Sequence, residues 1–329
     1  MIRRREFITL LGGAAAWPLA ARAQQREQMR RVAVLLGGLE FGDASGQAEV
    51  AAFEQGLKEL GWIPSRNIDL DYHWPGAQTG RVRAVAEKIV CAHPDLVLSR
   101  STPATAALMH SSLPIVFVLV ADPIGSGFVQ NLGQPGGNLT GFSTFESSVG
   151  GKWLALLKEA APEVSRVAML FNPETAPFAE GYLRSAQVAA QTLGGTVISA
   201  PCGSDADIQD VFSTQAREAG GGIIGIADTF VADHRDLIIA LAAQHRLPAI
   251  YGNPIFAGSG GLIVYSPDYA DIYRRAAGYV DRILKGAKPG DLPVQEPDKF
   301  TLSVNLQAAR AIGLNLPQML VARTDEVIE

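Results

Sequence analysis

The alternation of short apolar runs with longer amphipathic segments constrains the fold of this chain most strongly. From Arg31 onward, β-branched runs of four to seven residues alternate with amphipathic stretches. This pattern predicts an α/β fold with a parallel sheet flanked by helices. The runs Val32–Leu36 and Ile115–Ala121 are continuously apolar, so we expect both faces of these strands to be buried. In the first half we predict strands at 32–36, 68–74, 95–98 and 115–121, and helices at 45–60, 79–92 and 103–110.

The pattern is interrupted once and then restarts. A segment dense in glycine and proline, residues 125–141, indicates a boundary. After it we predict helices at 151–161, 178–193, 205–219 and 230–245 and strands at 167–171, 196–200, 223–227, 249–251 and 262–265. A helix at 268–285, a connector, a strand at 300–305 and a helix at 306–313 follow, so the chain can return to the first lobe and cross again. We therefore predict lobe 1 at 30–141 plus 268–294 and lobe 2 at 142–267 plus 295–329.

The N-terminus has the pattern of an export signal. Three arginines precede a short apolar stretch, and Ala21-Arg22-Ala23 forms an A-x-A cleavage site. The apolar stretch is shorter than the roughly 20 residues that cross a bilayer, so we expect cleavage after residue 23. Arg4-Arg5-Glu6-Phe7 matches the core of twin-arginine signals, although a general secretory signal with incidental arginines is the alternative. No cysteine lies directly after the cleavage site, so we expect no lipid anchor, and no later apolar run is long enough to predict a membrane span. We therefore predict a periplasmic protein.

Charge and composition exclude several classes of protein. The net charge of −5 becomes −8 when four arginines and one glutamate leave with the signal. Such an acidic chain lacks the basic surplus that nucleic-acid binding requires. Two cysteines, Cys91 and Cys202, are too few for a disulfide framework and fall in different halves, so we expect two separate buried thiols.

Motifs for catalysis and for cofactors are missing. The chain has no H-E-x-x-H, G-x-S-x-G, C-x-x-C or P-loop pattern. Gly220–Gly225 spells G-x-G-x-x-G, but these glycines lead into a predicted strand instead of opening a helix, so we interpret them as structural. The five histidines lack metal-ligand spacing. We predict a protein that is not an enzyme and holds no cofactor or metal, and that acts as a monomer on a small molecule.

Ligand-binding residues are expected at the carboxyl ends of the strands, where open α/β sheets bind their ligands. Ser101 and Thr102 offer hydroxyl groups there and could equally be plain helix caps. Asp122 and Asp228 could pair with a ligand ammonium group, and Asp228 could instead cap the next helix. Asn172 offers an amide or forms an Asx turn. The remaining candidates are the loop residues Gly38, Leu39 and Phe41, where backbone and ring could approach a ligand, and Tyr251, which could also be a core residue.

Three segments carry a resemblance to a known family. These are VADPIGSGFV at 120–129 with QPGGNLTGF at 134–142, RRAAGYVDRILKGAKP at 274–289 with LPV at 292–294, and ARTDEVIE at 322–329. They resemble the ABC-transporter substrate-binding family related to tryptophan and tyrosine uptake proteins. The resemblance extends over essentially all of the chain after the signal.

The resemblance implies a type 1 periplasmic binding fold, with two doubly wound lobes joined by three crossovers. It implies that a small carboxylate-bearing ligand is enclosed between the lobes and delivered to an inner-membrane permease and its ATPase. Ser101, Thr102 and Asp228 match the loops that hold an aromatic amino acid in relatives. Arg100 departs from the family pattern by adding a cation, so an aromatic or aliphatic acid is a second ligand class. A ligand-sensing subunit for a membrane receptor and an exported enzyme are the alternative functions.

Overall fold

The computed structural model describes residues 29–144 and 147–329, so the predicted export signal at residues 1–23 lies outside the described residues. The first sheet is parallel throughout, with the strand order β2-β1-β3-β4-β5. Its elements in chain order are β1 (Arg30–Gly37), α1 (Ala44–Glu59), β2 (Ile68–Gly76), α2 (Thr79–Ala92), β3 (Leu96–Arg100), α3 (Thr102–Leu108), β4 (Ile115–Val120) and β5 (Leu139–Ser143). Strands β3, β4 and β5 are buried over their whole length, as expected for a sheet covered on both faces.

The second sheet has seven strands in the order β12-β11-β10-β9-β8-β6-β7. Its elements begin with α4 (Val149–Ala160), β6 (Arg166–Phe171), α5 (Ala179–Leu193), β7 (Thr196–Pro201), α6 (Asp205–Ala216), β8 (Gly221–Gly225), α7 (Thr229–Asp233), α8 (Arg235–His245), β9 (Ala249–Tyr251), α9 (Ile255–Ser259) and β10 (Ile263–Pro267). After α10 (Tyr269–Leu284) the chain adds β11 (Phe300–Asn305), α11 (Leu306–Ile312), α12 (Gln318–Ala322) and β12 (Glu326–Ile328). We use lobe 1 for the first sheet with its helices and lobe 2 for the second.

Helix α10 lies on lobe 1 although it follows the strands of lobe 2. Asp268 caps its N-terminus by accepting a hydrogen bond from the backbone N–H of Asp271. A stripe including Ile272, Tyr273, Ala276 and Val280 is buried in the core of lobe 1 with Phe53 and Leu57 of α1. The chain therefore crosses between the lobes three times, after β5, after β10 and before β11. The predicted α/β class with two doubly wound lobes and three crossovers is confirmed.

The crossing segments are held to one another at the hinge. The backbone N–H of Ser143 donates to the carbonyl of Gln295, and the N–H of Asp268 donates to the carbonyl of Lys299. The Lys299 ammonium group also lies 2.9 Å from the Asp271 carboxylate. These contacts join the first crossing to the third and the second to the third.

Several details differ from the sequence-based expectations. Strand β5 begins inside the glycine- and proline-rich segment that predicts a boundary. Its Gly141 is needed because it approaches the backbone of β4 so closely that a Cβ would be 1.9 Å from the Phe117 carbonyl oxygen. Strand β11 runs antiparallel to β10, so the second sheet is not purely parallel. The helix expected at 230–245 is broken at His234. Cys91 is exposed at the end of α2, so only Cys202 is a buried thiol.

Candidate functional site

The carboxyl ends of strands from both sheets meet in a cleft between the lobes. A small cavity of about 30 Å³ lies there. Lobe 1 lines it with Arg100, Ser101, Thr102 and Tyr269, and lobe 2 lines it with Thr175, Phe178, Asp228, Thr229 and Asn253. The cavity is therefore built by polar groups from both lobes.

Ser101 presents a buried hydroxyl group from a strained backbone. Its φ of 81° and ψ of 156° fall in a region that essentially only glycine occupies. Hydrogen bonds hold this conformation, because its N–H donates to the carbonyl of Val118 and its carbonyl accepts from Thr105. The Ser101 Oγ is buried and has no hydrogen-bond partner in the part of the chain that the structure describes. Strain and an unpaired hydroxyl at one residue are typical of a functional site.

Asp228 is the buried carboxylate of the cleft, with 2% of its surface exposed. Its oxygens accept hydrogen bonds from the backbone N–H of Asn172 at 2.8 Å, the hydroxyl of Thr175 at 2.5 Å and the N–H of Phe230 at 3.2 Å. Burial raises the pKa of Asp228 to about 6, although these hydrogen bonds act in the opposite direction. Asp228 thus caps α7 and also presents a negative charge to the cavity.

Arg100 is paired inside lobe 1 and does not present a free cation to the cleft. Its guanidinium group donates to the Glu49 carboxylate at 2.8 and 3.3 Å and to the carbonyl of Gly37 at 2.9 Å. Burial alone would lower the pKa of Arg100, but the Glu49 carboxylate outweighs burial and raises it. The positive charge that the sequence indicated is therefore compensated locally, and the hydrogen bond to Gly37 ties the loop after β1 to the end of β3.

The loops after β1 and β8 touch across the cleft. Gly38 has a φ of 84°, and a Cβ there would lie 2.7 Å from the Thr229 methyl group. Only glycine fits at this position, because its φ is positive and the Thr229 methyl group leaves no room for a side chain. The Thr229 hydroxyl is buried without a hydrogen-bond partner among the described residues. Gly38 therefore contributes to the site through its backbone.

A second cavity of about 470 Å³ lies beside the hinge. Phe178 lines both cavities. Asp122, Ile124, Leu132, Tyr182 and Glu296 also line the larger one. Asp122 accepts a hydrogen bond from the N–H of Gly125 and does not line the small cavity with Asp228.

The described residues contain no group of three or more His, Cys, Asp or Glu side chains that could hold a metal ion. None of the helices within the described ranges is long and apolar enough to cross a membrane. Charge at the small cavity thus comes from Asp228, together with the compensated pair Arg100 and Glu49.

Comparison with known protein families matches residues 42–328 to the model described as ABC transporter substrate binding protein. The chain belongs to this family. Members are solute-binding components of ABC transporters, which act outside the cytoplasm and deliver small molecules to a permease.

Relatives of this substrate-binding protein support the same assignment. The Tyrosine-binding protein of Clostridioides difficile is 22% identical over 264 residues, which cover 80% of this chain and 75% of the relative. A conserved domain protein from Vibrio cholerae superimposes with a TM-score of 0.82 at 27% identity, covering 91% of this chain and all of that one. An ABC domain from Streptococcus pneumoniae in complex with L-Trp has a TM-score of 0.80 at 22% identity, covering 92% of this chain and all of that one.

The structure of the substrate-binding protein brings several of the predicted site residues together. Ser101, Thr102 and Asp228 line the small cavity, Asn172 donates its N–H to Asp228, and Gly38 lies against Thr229. The carbonyl oxygen of the Asn172 side chain accepts from the N–H groups of Glu174 and Thr175, which is the Asx turn we had considered as its alternative.

Besides Asp122, three predicted site residues do not line the small cavity, because their side chains lie in a core or on the surface. Leu39 is buried in the core of lobe 1. Phe41 is 81% exposed and meets the edge of Trp74 on the surface. Tyr251 is buried and stacks on Phe256 in the core of lobe 2. The rings of Phe41 and Tyr251 and the side chain of Leu39 therefore do not line the small cavity.

The predicted site residues did not include most of the residues that line the small cavity, among them Thr175, Phe178, Thr229, Asn253 and Tyr269. Thr229 and Asn253 lie in the segments that follow β8 and β9, so the strand-end rule could have included them. Tyr269 comes from the first turn of α10, which reaches the cleft only because the chain crosses back to lobe 1.

Proposed function

We propose that this protein captures an amino acid with an aromatic side chain between its lobes for an ABC transporter. The observation that carries the proposal is a buried carboxylate, Asp228 of lobe 2, at the same cavity as the buried hydroxyl of Ser101 of lobe 1, which has no hydrogen-bond partner among the described residues. A zwitterionic ligand satisfies both: its ammonium group pairs with Asp228, and its carboxylate accepts hydrogen bonds from Ser101 and Thr229. The names of the relatives, a tyrosine-binding protein and an L-Trp complex, support the same ligand class.

The size of the two cavities supports a ligand that spans them. The 30 Å³ cavity has no room for an aromatic ring, whereas the neighbouring cavity has about 470 Å³. Phe178 lines both and offers a ring for stacking. We propose that the charged head group binds beside Asp228 while the side chain extends past Phe178 toward the larger cavity.

We propose that the ligand enters by separation of the lobes, with residues 30–141 and 268–294 moving against residues 142–267 and 295–329. The three crossings described above act as the hinge. Ligand contacts from both lobes favour the closed arrangement because they form only there. The protein performs no chemistry on the ligand in this proposal and acts as a periplasmic monomer that hands the ligand to the permease.

Calorimetry with L-phenylalanine and two analogues tests the proposal. Phenylpropanoate lacks the ammonium group, and phenylethylamine lacks the carboxylate. We expect L-phenylalanine, L-tyrosine or L-tryptophan to bind, and each analogue to lose about 2 kcal/mol or more, roughly thirtyfold in affinity. Equal binding of phenylpropanoate would assign the site to organic acids instead. Mass spectrometry of the bound ligand should recover it unchanged, and a converted product would indicate an enzyme.

A further inference from the structure

Two polar contacts cross the mouth of the cleft without involving residues that line the small cavity. Asp43, directly before α1 of lobe 1, lies 3.8 Å from Arg235, the first residue of α8 of lobe 2. The hydroxyl of Thr79, at the start of α2 of lobe 1, donates to the carboxylate of Glu174 in lobe 2 at 3.1 Å. Each contact joins residues on opposite sides of the hinge, so it forms only when the lobes approach each other.

In the contact between Asp43 and Arg235, each charged side chain is held in place by its own lobe. One oxygen of Asp43 accepts hydrogen bonds from the N–H groups of Ser45 and Gly46, while its other oxygen faces Arg235. Arg235 donates from Nη1 to the carbonyl of Ala232, and its Nη2 faces Asp43. Since both side chains are already oriented, the contact between them orders little additional structure when the lobes close.

Partial burial strengthens the contact between Asp43 and Arg235. The side chains are 12% and 28% exposed, whereas the ion pair of Glu40 with Arg81, wholly within lobe 1, is 59% and 50% exposed. Charges that are partly removed from solvent are screened less by salt than exposed ones. The pair of Asp43 and Arg235 therefore stabilises the closed arrangement more than an average surface pair would. The pair of Glu40 and Arg81 within lobe 1 provides a control.

We infer that Asp43, Arg235, Thr79 and Glu174 form a latch that stabilises the closed arrangement and thereby sets ligand affinity and residence time without touching the ligand. They are positioning residues. For ligand binding this inference rests on the proposed function, because the ligand must be one that the closed lobes enclose. Any contact present only in the closed arrangement raises the closed population, and apparent affinity rises with that population.

Variants of the latch test its effect on the ligand. Arg235→Met keeps the aliphatic stem and removes the charge, and Asp43→Asn keeps an N-cap residue for α1. We expect each to speed the dissociation of the tightest-binding aromatic amino acid about two- to fivefold. The double variant should release the amino acid no faster than either single variant, because both substitutions remove the same contact. Arg81→Met breaks the control pair within lobe 1 and should leave dissociation unchanged. Equal rates for wild type, Arg235→Met and Asp43→Asn would overturn the inference.

A measurement without ligand separates the latch from the proposed function. Small-angle scattering of the ligand-free protein at low salt should give a smaller radius of gyration for wild type than for Arg235→Met and Asp43→Asn. High salt should raise the wild-type value toward that of the variants. Thr79→Val should act in the same direction. If no amino acid binds, the proposed function fails, but the comparison of radii still tests the latch. Identical radii of gyration for wild type and all variants would overturn the latch.

Discussion

Two residues in the cleft, Ser101 and Asp228, are held in states that cost free energy, and the rest of the molecule offsets that cost. Ser101 combines a backbone conformation suited to glycine with a buried hydroxyl that no described residue pairs. Asp228 keeps a carboxylate in an environment that disfavours its charge. Such costs cluster at functional sites, where the surrounding structure maintains them. Both residues lie at the same cavity and come from opposite lobes, so the ligand position that we propose brings one molecule against both.

Replacing Ser101 separates backbone strain from the hydroxyl. Ser101→Gly removes both, whereas Ser101→Ala removes the hydroxyl and keeps a side chain in the strained conformation. We expect the glycine variant to have a free energy of unfolding about 1 kcal/mol above that of the alanine variant. Both should bind the amino acid more weakly than wild type. Denaturant unfolding and calorimetry measure these effects, and equally stable variants would show that this backbone is not strained.

The raised pKa of Asp228 predicts a pH dependence with a definite sign. The ordinary value is 3.8 and the folded value is about 6. Between these values the folded protein keeps a proton that the unfolded chain has lost, so the free energy of unfolding contributed by this group falls as pH rises through the window and is constant above it. A ligand ammonium group favours the charged form. Affinity should therefore rise with pH up to about 6, by at most about tenfold per unit, and then level off.

Asp228→Asn provides the control for this pH profile. The variant should bind the amino acid weakly and without the rise below pH 6, because it has no proton to release. Titration calorimetry at several pH values measures both profiles. A wild-type profile that is flat from pH 5 to 7 would remove Asp228 from contact with the ammonium group.

At the scale of elements, the packing of α10 on α1 fixes the returning chain to lobe 1. Gly56 of α1 has no room for a side chain, since a Cβ would lie 2.9 Å from the Ala277 Cβ and 2.9 Å from the Arg274 carbonyl oxygen. Gly278 of α10 has open space in the same test. Both glycines lie on the packed helices α1 and α10, and they differ in whether a Cβ would have room.

Alanine at these two positions should have opposite effects. Gly56→Ala forces the helices apart and should lower the free energy of unfolding by about 1 to 3 kcal/mol. Gly278→Ala improves helix propensity and should raise it by up to about 1 kcal/mol. Denaturant unfolding measures both. A loss of stability in both variants would show that the space around the glycines does not decide the outcome.

Periodicity predicted most elements and failed where long-range placement decides the local structure. Strands such as Val32–Leu36 and Ile115–Ala121 are evident from their apolar runs. Strand β5 is hard to recognise in the sequence because it contains Gly141. Glycine is required there because the backbone of β4 lies too close for a side chain. The direction of β11 is also a consequence of connectivity. Pro267 at the end of β10 pairs with Phe300 at the start of β11, since both lie at the hinge, so the two strands must run in opposite directions.

The site was partly predictable for a similar reason. Ser101, Thr102 and Asp228 follow strand ends, and the strand-end rule predicted these three residues, which line the small cavity. The pairing of Arg100 with Glu49 joins residues 51 positions apart, and no local pattern reveals it. Tyr251 ends a strand, but its ring packs against the core, and a sequence does not display the direction of a side chain at a strand end.

At the scale of the whole molecule, we propose that residues 1–23 are an export signal of the twin-arginine type. Replacing Arg4 and Arg5 with lysine should block export by that route and leave the precursor in the cytoplasm. Fractionation with an antibody to the mature protein measures the distribution. Normal export of the double variant would assign the signal to the general secretory pathway.

The three crossings also govern how the chain can be made. Lobe 1 needs α10 to cover its core, and the sheet of lobe 2 is completed by β11 and β12, the last of which ends at Ile328. No cut of the chain into two continuous pieces yields both complete lobes. Lobe 1 can reach its final packing only after α10 has been made, and lobe 2 only after β12 has been made. The whole protein therefore matures only after its synthesis is almost finished.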